Sequence, residues 1–293
     1  MNTVKTFVLM MVMSGLLLVI GLILGGIPLM IVFLVVALCI NFFMYWKSDT
    51  LALKMANAHA ISEQDDRELY SIVTEQASMA GLPMPKVYQI DSDSPNAFAT
   101  GRNPEHAAVA VTTGIRRILN REELGAVLAH EMAHVGNRDT LIMSVVATMA
   151  MTIMILASVA KWGAMMSMMF GGRDRNAGIG SMIGTLLVAM IAGVAATMIR
   201  SAISRTREYQ ADATGARTSG NPFALASALE KLEQGSQARP MKVAEGASHL
   251  FIVNPLKEEK SKQQSQFSMA GLFSTHPPIA ERVRRLRDVR PNY

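Results

Sequence analysis

Apolar positions in this chain fall into long uncharged tracts separated by shorter, patterned polar regions. No Lys, Arg, Asp or Glu occurs from Thr6 to Trp46, from Thr140 to Ala160, or from Ala177 to Ile199. The first tract is too long for one membrane span. Gly25-Gly26-Ile27-Pro28 breaks it, because Gly favours a turn and Pro cannot continue a helix. The pattern therefore predicts four membrane helices, at about 6–24, 28–46, 140–160 and 177–199, each near the roughly 20 residues that cross a bilayer. The last two mix small residues and Thr with aliphatics, which suits packing on protein as well as lipid.

The polar regions carry shorter periods. Ser62 precedes a helical pattern through Leu69, Ile72, Val73, Gln76 and Met79, ended by Gly81 and Pro83. Val87–Ile90, Asn96–Thr100 and Ala107–Thr113 read as short strands, the last two joined by a turn at 101–104. Asn120 with Glu123 starts the next helix in capping-box fashion. A helix through Arg205–Asp212 continues the fourth tract. Asn221-Pro222 opens another, which Gly235 ends. Ser236–Met269 is polar and reads as a mobile loop. Thr275-His276-Pro277-Pro278 starts a final helix with Ile279, Val283 and Leu286 on its apolar face and arginines opposite. The expected class is mainly α with a small β-sheet. Its organisation is two helices in 1–46, half a domain in 47–139, two more membrane helices in 140–199, and the second half in 200–293. No internal repeat is visible.

Composition sharpens the membrane reading. Half the residues are hydrophobic and 17% are charged, unusually apolar for a soluble protein. The net charge of +5 is distributed for topology and not for nucleic acid. Nine Lys or Arg lie between Lys47 and Arg138 and fifteen from Arg200 onward. The connection between the last two tracts holds only Lys161, Arg173 and Arg175 against Asp174. The positive-inside rule then places both polar regions and both termini in the cytoplasm. A cleaved signal peptide is disfavoured, since a second apolar span follows at once without a small-x-small site. Cys39, the single cysteine, has no intramolecular disulfide partner and fits a reducing compartment.

The chemistry concentrates at His130-Glu131-Met132-Ala133-His134. Spacing of i and i+4 puts both imidazoles on one helical face, within reach of one Zn²⁺, with Glu131 beside them as a candidate general base. Catalytic zinc takes a third protein ligand and keeps a position for water. Glu208 is the best candidate, because Asp212 lies one turn along and can hold a ligand imidazole in its tautomer. On spacing alone an ordinary helical Glu–Asp pair stays open, and Asp139, Glu230 and Glu281 are rival ligands. His59, His106 and His249 match no motif and read as surface residues.

Four motifs in order, His130–His134, Glu208 with Ala211-Asp212, Asn96-Ala97-Phe98-Ala99-Thr100-Gly101 and Thr275-His276-Pro277-Pro278, resemble the HtpX family of bacterial membrane zinc metalloproteases. More distantly they resemble the CAAX-prenyl endoproteases. The likeness spans nearly the whole chain. It implies a membrane-embedded, gluzincin-like metalloprotease with a cytoplasmic catalytic domain in the bacterial inner membrane, one zinc per chain, and Glu208 as third ligand. It also implies that Asn96 holds an extended substrate on an edge strand and that His276 stabilises the oxyanion. Protein substrates, misfolded or damaged membrane proteins among them, are the implied partners beside the bilayer. A dedicated processing protease for a lipidated or precursor peptide and an idle zinc-containing scaffold are the alternative functions.

Overall fold

The structure, a computed structural model, describes residues 2–146, 205–241, 250–253 and 277–288. The expected helix at 177–199, most of that at 140–160, and Thr275, His276 and His249 lie outside these residues. The first apolar tract is helical over Asn2–Met55 (α1), yet it is not one rod. Gly26 has φ 64°, a left-handed conformation that side chains with a Cβ resist and glycine adopts freely. The chain folds back there. Asn41 Nδ2 donates to Ser14 Oγ at 2.7 Å, and Phe7 stacks on Tyr45 with centroids 6.2 Å apart. A straight helix would hold residues 14 and 41 about 40 Å apart. The turn expected before Pro28 is thus made by Gly26. Gly26–Met55 is long and apolar enough to cross a membrane, and Val4–Val19 is a shorter apolar helix. Phe7, Met11, Ile31, Val35, Leu38 and Phe42 are exposed, an apolar surface that soluble monomers rarely present.

After α1 comes a four-stranded mixed sheet of β1 (His59–Ala60), β2 (Lys86–Ile90), β3 (Ala97–Gly101) and β4 (Ala107–Thr112), in the order β1-β2-β4-β3. β2 and β4 are parallel, and the other two pairs are antiparallel, with Ala97 opposite Val111. On the functional side of the sheet, β3 and β4 are buried at every residue, which explains their continuous small and apolar composition. β3 ends the sheet, so one of its edges faces the rest of the protein. The two-residue β1 and the short α3 (Thr113–Ile118) are too brief for periodicity to reveal. α2 (Arg67–Met79) begins at Arg67 and not after Ser62, because Asp66 is the cap that accepts from Leu69 N. The Ser62 hydroxyl binds Asp65 instead.

Helices α4 (Arg121–Gly136), α5 (Arg205–Ser219), α6 (Pro222–Ala238) and α7 (Ile279–Asp288) complete the described elements that matter for the site. α6 runs past Gly235, which packs on Pro95 inside the helix and does not stop it. One core joins Leu69, Val109, Val111 and Leu128 to Leu225, Leu229, Val283 and Leu286, so residues on both sides of the last two apolar tracts bury each other. α4 is buried from Glu123 to Val135, as expected of a helix surrounded by protein. A second cluster puts the other sheet face on the hairpin, joining Leu9, Met44 and Leu53 to Ile90, Phe98, Ile142 and Phe251. The helical stretch at 139–146 is tied to β3: Thr140 Oγ1 donates to the Gly101 carbonyl at 2.8 Å, and the Thr100 and Ser144 hydroxyls are 2.6 Å apart. The beginning of the third tract therefore packs on the sheet.

Two expectations are corrected by burial. Leu250–Val253, inside the stretch read as a polar mobile loop, is buried in the core, since its four apolar side chains outweigh the polar flanks. Arg282, read as part of an exposed arginine face, is fully buried. The amphipathic pattern of α7 does place Ile279, Val283 and Leu286 inward, but Arg282 lies beside Val283 on that face because an acid awaits it.

The capping box at the start of α4 is complete. Asn120 Oδ1 accepts from Glu123 N at 2.9 Å, and Asn120 N donates to Glu123 Oε2 at 3.0 Å. Ser227 and Lys231 of α6 also donate to the Glu123 carboxylate, so one side chain caps α4 and clamps α6. Burial works against its charge, but the Lys231, Asn120 and Ser227 hydrogen bonds hold its pKa below the ordinary 4.5. A depressed carboxylate contributes stability above its unfolded pKa and loses it as pH falls through the folded one. Glu123→Gln should therefore cost about 1–2 kcal/mol at pH 7. Thermal melts of both proteins should converge at pH values below that of the folded carboxyl.

Candidate metal centre

α4 and α5 build the centre by lying unusually close. A Cβ on Gly215 would sit 2.7 Å from the backbone N and Cα of His130, so glycine is what lets the two helix backbones touch. That contact, not predicted from spacing, carries Glu208 and Asp212 to the face of α4 that bears the histidines. The His130 and His134 rings meet edge to face with centroids 4.8 Å apart, as i and i+4 placement dictates.

Each ring turns one nitrogen toward Glu208 and the other toward a different acid. His130 Nε2 is 4.0 Å from Glu208 Oε2, and His134 Nε2 is 3.6 Å from Glu208 Oε1. On the far sides, His130 Nδ1 is 3.0 Å from Asp212 Oδ1, and His134 Nδ1 is 3.2 Å from Asp139 Oδ2. The Asp139 contact is a hydrogen bond; His130 Nδ1 lacks a well-aligned one. One ligand atom from each of His130, His134 and Glu208 can be chosen so that all lie within 4.8 Å of one another, and the three residues are buried. Two imidazoles and a carboxylate are a donor set suited to zinc. Tetrahedral zinc spaces such donors by roughly 3.4 Å, within reach of side-chain movement from the contacts present. The residues fit the ion.

Among the rivals for the third ligand, Asp139 stands behind His134, while Glu230 and Glu281 are engaged by Arg287, and by Arg284 and Arg285, away from the histidines. Asp139 was legible as an acid near the motif. Its partnership with Nδ1, and its 3.8 Å approach to Arg207, depend on the turn at Arg138. Burial alone would lower the His134 pKa. The Asp139 hydrogen bond, then the charges of Glu208 and Glu131, more than reverse this and push it up to about 9.

Arg282 is the residue that motif reading missed. Its guanidinium donates from Nε and Nη2 to the two Asp212 oxygens at 2.8 and 2.7 Å. Its Nη1 donates to the Ile252 carbonyl at 3.1 Å and lies 3.9 Å from Glu208 Oε2. Burial opposes the charge on both partners, but their mutual attraction dominates, holding Asp212 well below the carboxylate range and raising Arg282. The available signal was the position of Arg282 between Ile279, Val283 and Leu286 on the inward helical stripe.

Glu131 lies on the β3 side of the centre. Ala99 N, on the outer edge of β3, donates to its Oε2 at 2.8 Å. Asn96 is fully buried one residue before β3. Its Nδ2 donates to the Val253 carbonyl at 2.7 Å, and its Oδ1 accepts from Val253 N at 3.3 Å. The side chain expected to hold a substrate backbone thus holds this chain's own backbone. His59 and His106 are exposed, as expected.

Residues 63–290 match the family model described as Peptidase family M48. The chain is 50% identical over 290 residues to a "Protease HtpX homolog" of Desulfatibacillum aliphaticivorans, covering 99% of this chain and 90% of that protein. It is 49% identical over 293 residues to one of Persephonella marina, covering 99% and 98%. It is 47% identical over 287 residues to one of Pyrococcus furiosus, covering 98% and 95%. In fold it is similar to the crystal structure of S. mikatae Ste24p, with a TM-score of 0.50 and 19% identity. That match covers 98% of this chain and 66% of the other.

Proposed function

This chain belongs to peptidase family M48, and from that premise we propose that it is a zinc-dependent endopeptidase of the cytoplasmic membrane. Its substrates, on this reading, are cytosolic segments of misfolded or damaged membrane proteins. The observation that carries the reading is the convergence of His130, His134 and Glu208 in a buried cluster, with the Glu131 carboxylate bridged to the edge of β3. His130, His134 and Glu208 hold the metal, and Asp212 and Asp139 orient the two rings from behind. Zinc, when bound, supplies a Lewis acid and an acidified water. Glu131 takes the proton of the attacking water and delivers it to the leaving amine. Asn96 and the β3 edge hold the substrate extended, by main-chain hydrogen bonds like those of an added strand. His276 donates to the oxyanion. In support, its neighbour Pro277 is buried two residues before α7, the helix that brings Arg282 to 3.9 Å from Glu208.

The membrane side of the proposal rests on charge and anchoring. Four membrane helices with both polar regions cytoplasmic satisfy the positive-inside distribution. Arg102 of the β3–β4 turn lies 4.7 Å over the Trp46 ring at the end of the expected second span, a contact that supports a sheet held close to the membrane boundary. The organisation that follows is membrane helices in 1–46 and 140–199, with the catalytic domain shared between 47–139 and 200–293. In inside-out membrane vesicles, an unfolded protein added to the bath should be cleaved. EDTA should stop the cleavage, and Zn²⁺ should restore it. Cleavage only in right-side-out vesicles would overturn the orientation. Bound zinc without metal-dependent cleavage from either side would favour an idle scaffold.

A further inference from the structure

We propose that Leu250–Val253 is a resident substrate mimic, occupying the peptide-binding edge of β3 and suppressing turnover until an apolar extended segment displaces it. The inference rests on the protease reading above. Ile252 N donates to the Ala97 carbonyl at 3.1 Å, and Val253 exchanges two hydrogen bonds with the Asn96 amide. Residue 252 thus lies beside 97 and 253 beside 96, in the order opposite to β3, while 251–253 are bent and add no strand to the sheet. These are the groups that the proposed mechanism assigns to substrate. The edge is consumed further along by this chain as well: Glu131 takes Ala99 N, and Thr140 takes the Gly101 carbonyl.

The segment is also linked to the residues of the metal centre. The Ile252 carbonyl faces Arg282, whose same Nη1 is 3.9 Å from the Glu208 oxygen. The Ile252–Val253 peptide is thus tied to the Asn96 amide on one side and, through Arg282, to Glu208 on the other. Side chains complete the occupancy: Phe251 packs edge to face on Phe98 with centroids 5.0 Å apart, and Ile252 and Val253 join the main core.

Displacement exposes four apolar side chains, so the replacing segment must bring equivalent ones. The substrate class that follows is an extended run of aliphatic and aromatic residues, the kind a membrane protein exposes when it loses its packing. A short polar peptide lacks that compensation and meets a closed edge.

Ile252→Pro removes the N–H that binds Ala97 and leaves the metal ligands intact. In the full-length, zinc-loaded protein it should raise kcat/KM for a short polar fluorogenic peptide at least tenfold, with zinc stoichiometry unchanged. A peptide of residues 248–253, added in trans, should inhibit that variant more strongly than wild type. Equal or slower cleavage by a zinc-bound Ile252→Pro protein would overturn the occupancy and leave the protease reading standing. If neither protein cleaved anything with zinc bound, the protease reading would fall and take this one with it. If the variant lost its zinc, hydrogen exchange in wild type decides. Backbone amides of 250–253 should exchange faster when an apolar peptide hydroxamate occupies the centre, and unchanged or slower exchange would overturn the proposal.

Discussion

Glu131→Gln should lower peptide-bond cleavage by about three orders of magnitude while leaving one zinc per chain. A positioned general base contributes roughly 10²–10⁴-fold, and the amide matches the carboxylate in shape without accepting the proton. The variant is expected to fold, because a glutamine oxygen can still accept from Ala99 N, the contact that carboxylate makes at 2.8 Å. Zinc is expected to stay, because His130, His134 and Glu208 are untouched. Metal analysis beside a steady-state assay checks both halves. Cleavage within tenfold of wild type would remove Glu131 from its role, and loss of zinc would make it a structural contributor to the centre.

The second large effect is on stability. Arg282→Met should destabilise the protein by about 3–5 kcal/mol, the range for breaking a buried ion pair on one side. The cost arises at Asp212, which the substitution leaves nine-tenths or more buried as a carboxylate without its guanidinium. Adding Asp212→Leu should recover much of that loss, because the carboxylate that lost its paired guanidinium is then gone as well. It should not recover metal affinity. His130 Nδ1 would have lost the acid 3.0 Å away, and such orienting partners are worth about 10–100-fold in affinity. Thermal denaturation of the zinc-free single and double variants, with zinc titrations alongside, separates the two consequences. If the double variant matched wild type in zinc affinity, Asp212 would have no orienting role.

The Asp212 shift also carries a pH dependence. Its pKa is depressed in the folded state, chiefly because Arg282 overcomes the effect of burial. It therefore stabilises the metal-free protein above the ordinary carboxylate pKa and loses that contribution only as pH falls toward the folded value.

Local rules made much of this protein legible. Two histidines four residues apart needed only helical periodicity to share a face, and Asn120 with Glu123 needed only a helix N-terminus to close a capping box. The hairpin of α1 was readable from the conformational freedom of glycine before a proline, β2, β3 and β4 from short runs bounded by turn residues, and α7 from its helical stripe. Each of these depends on neighbours within about one turn or one strand. Glu208 was legible as one acid among four, and the motif order supplied the preference that spacing could not.

Tertiary structure decided the rest, because it concerns polar groups that meet across long stretches of chain. Gly215 reads as an ordinary helix-weakening residue until the backbone of His130 is seen against it. Asp139 becomes the partner of His134 only through the turn after α4, and Arg282 becomes an interior residue only because Asp212, seventy positions earlier, offers both carboxylate oxygens. Most telling is Leu250–Val253. Its surroundings in sequence are polar, and a loop was the natural expectation; the Asn96 amide, 157 positions away, determines where its backbone lies. The sequence by itself determined which residues can hold a metal and take a proton. Only the packing of helices and the pairing of buried polar groups decided what orients them and what fills the edge beside them.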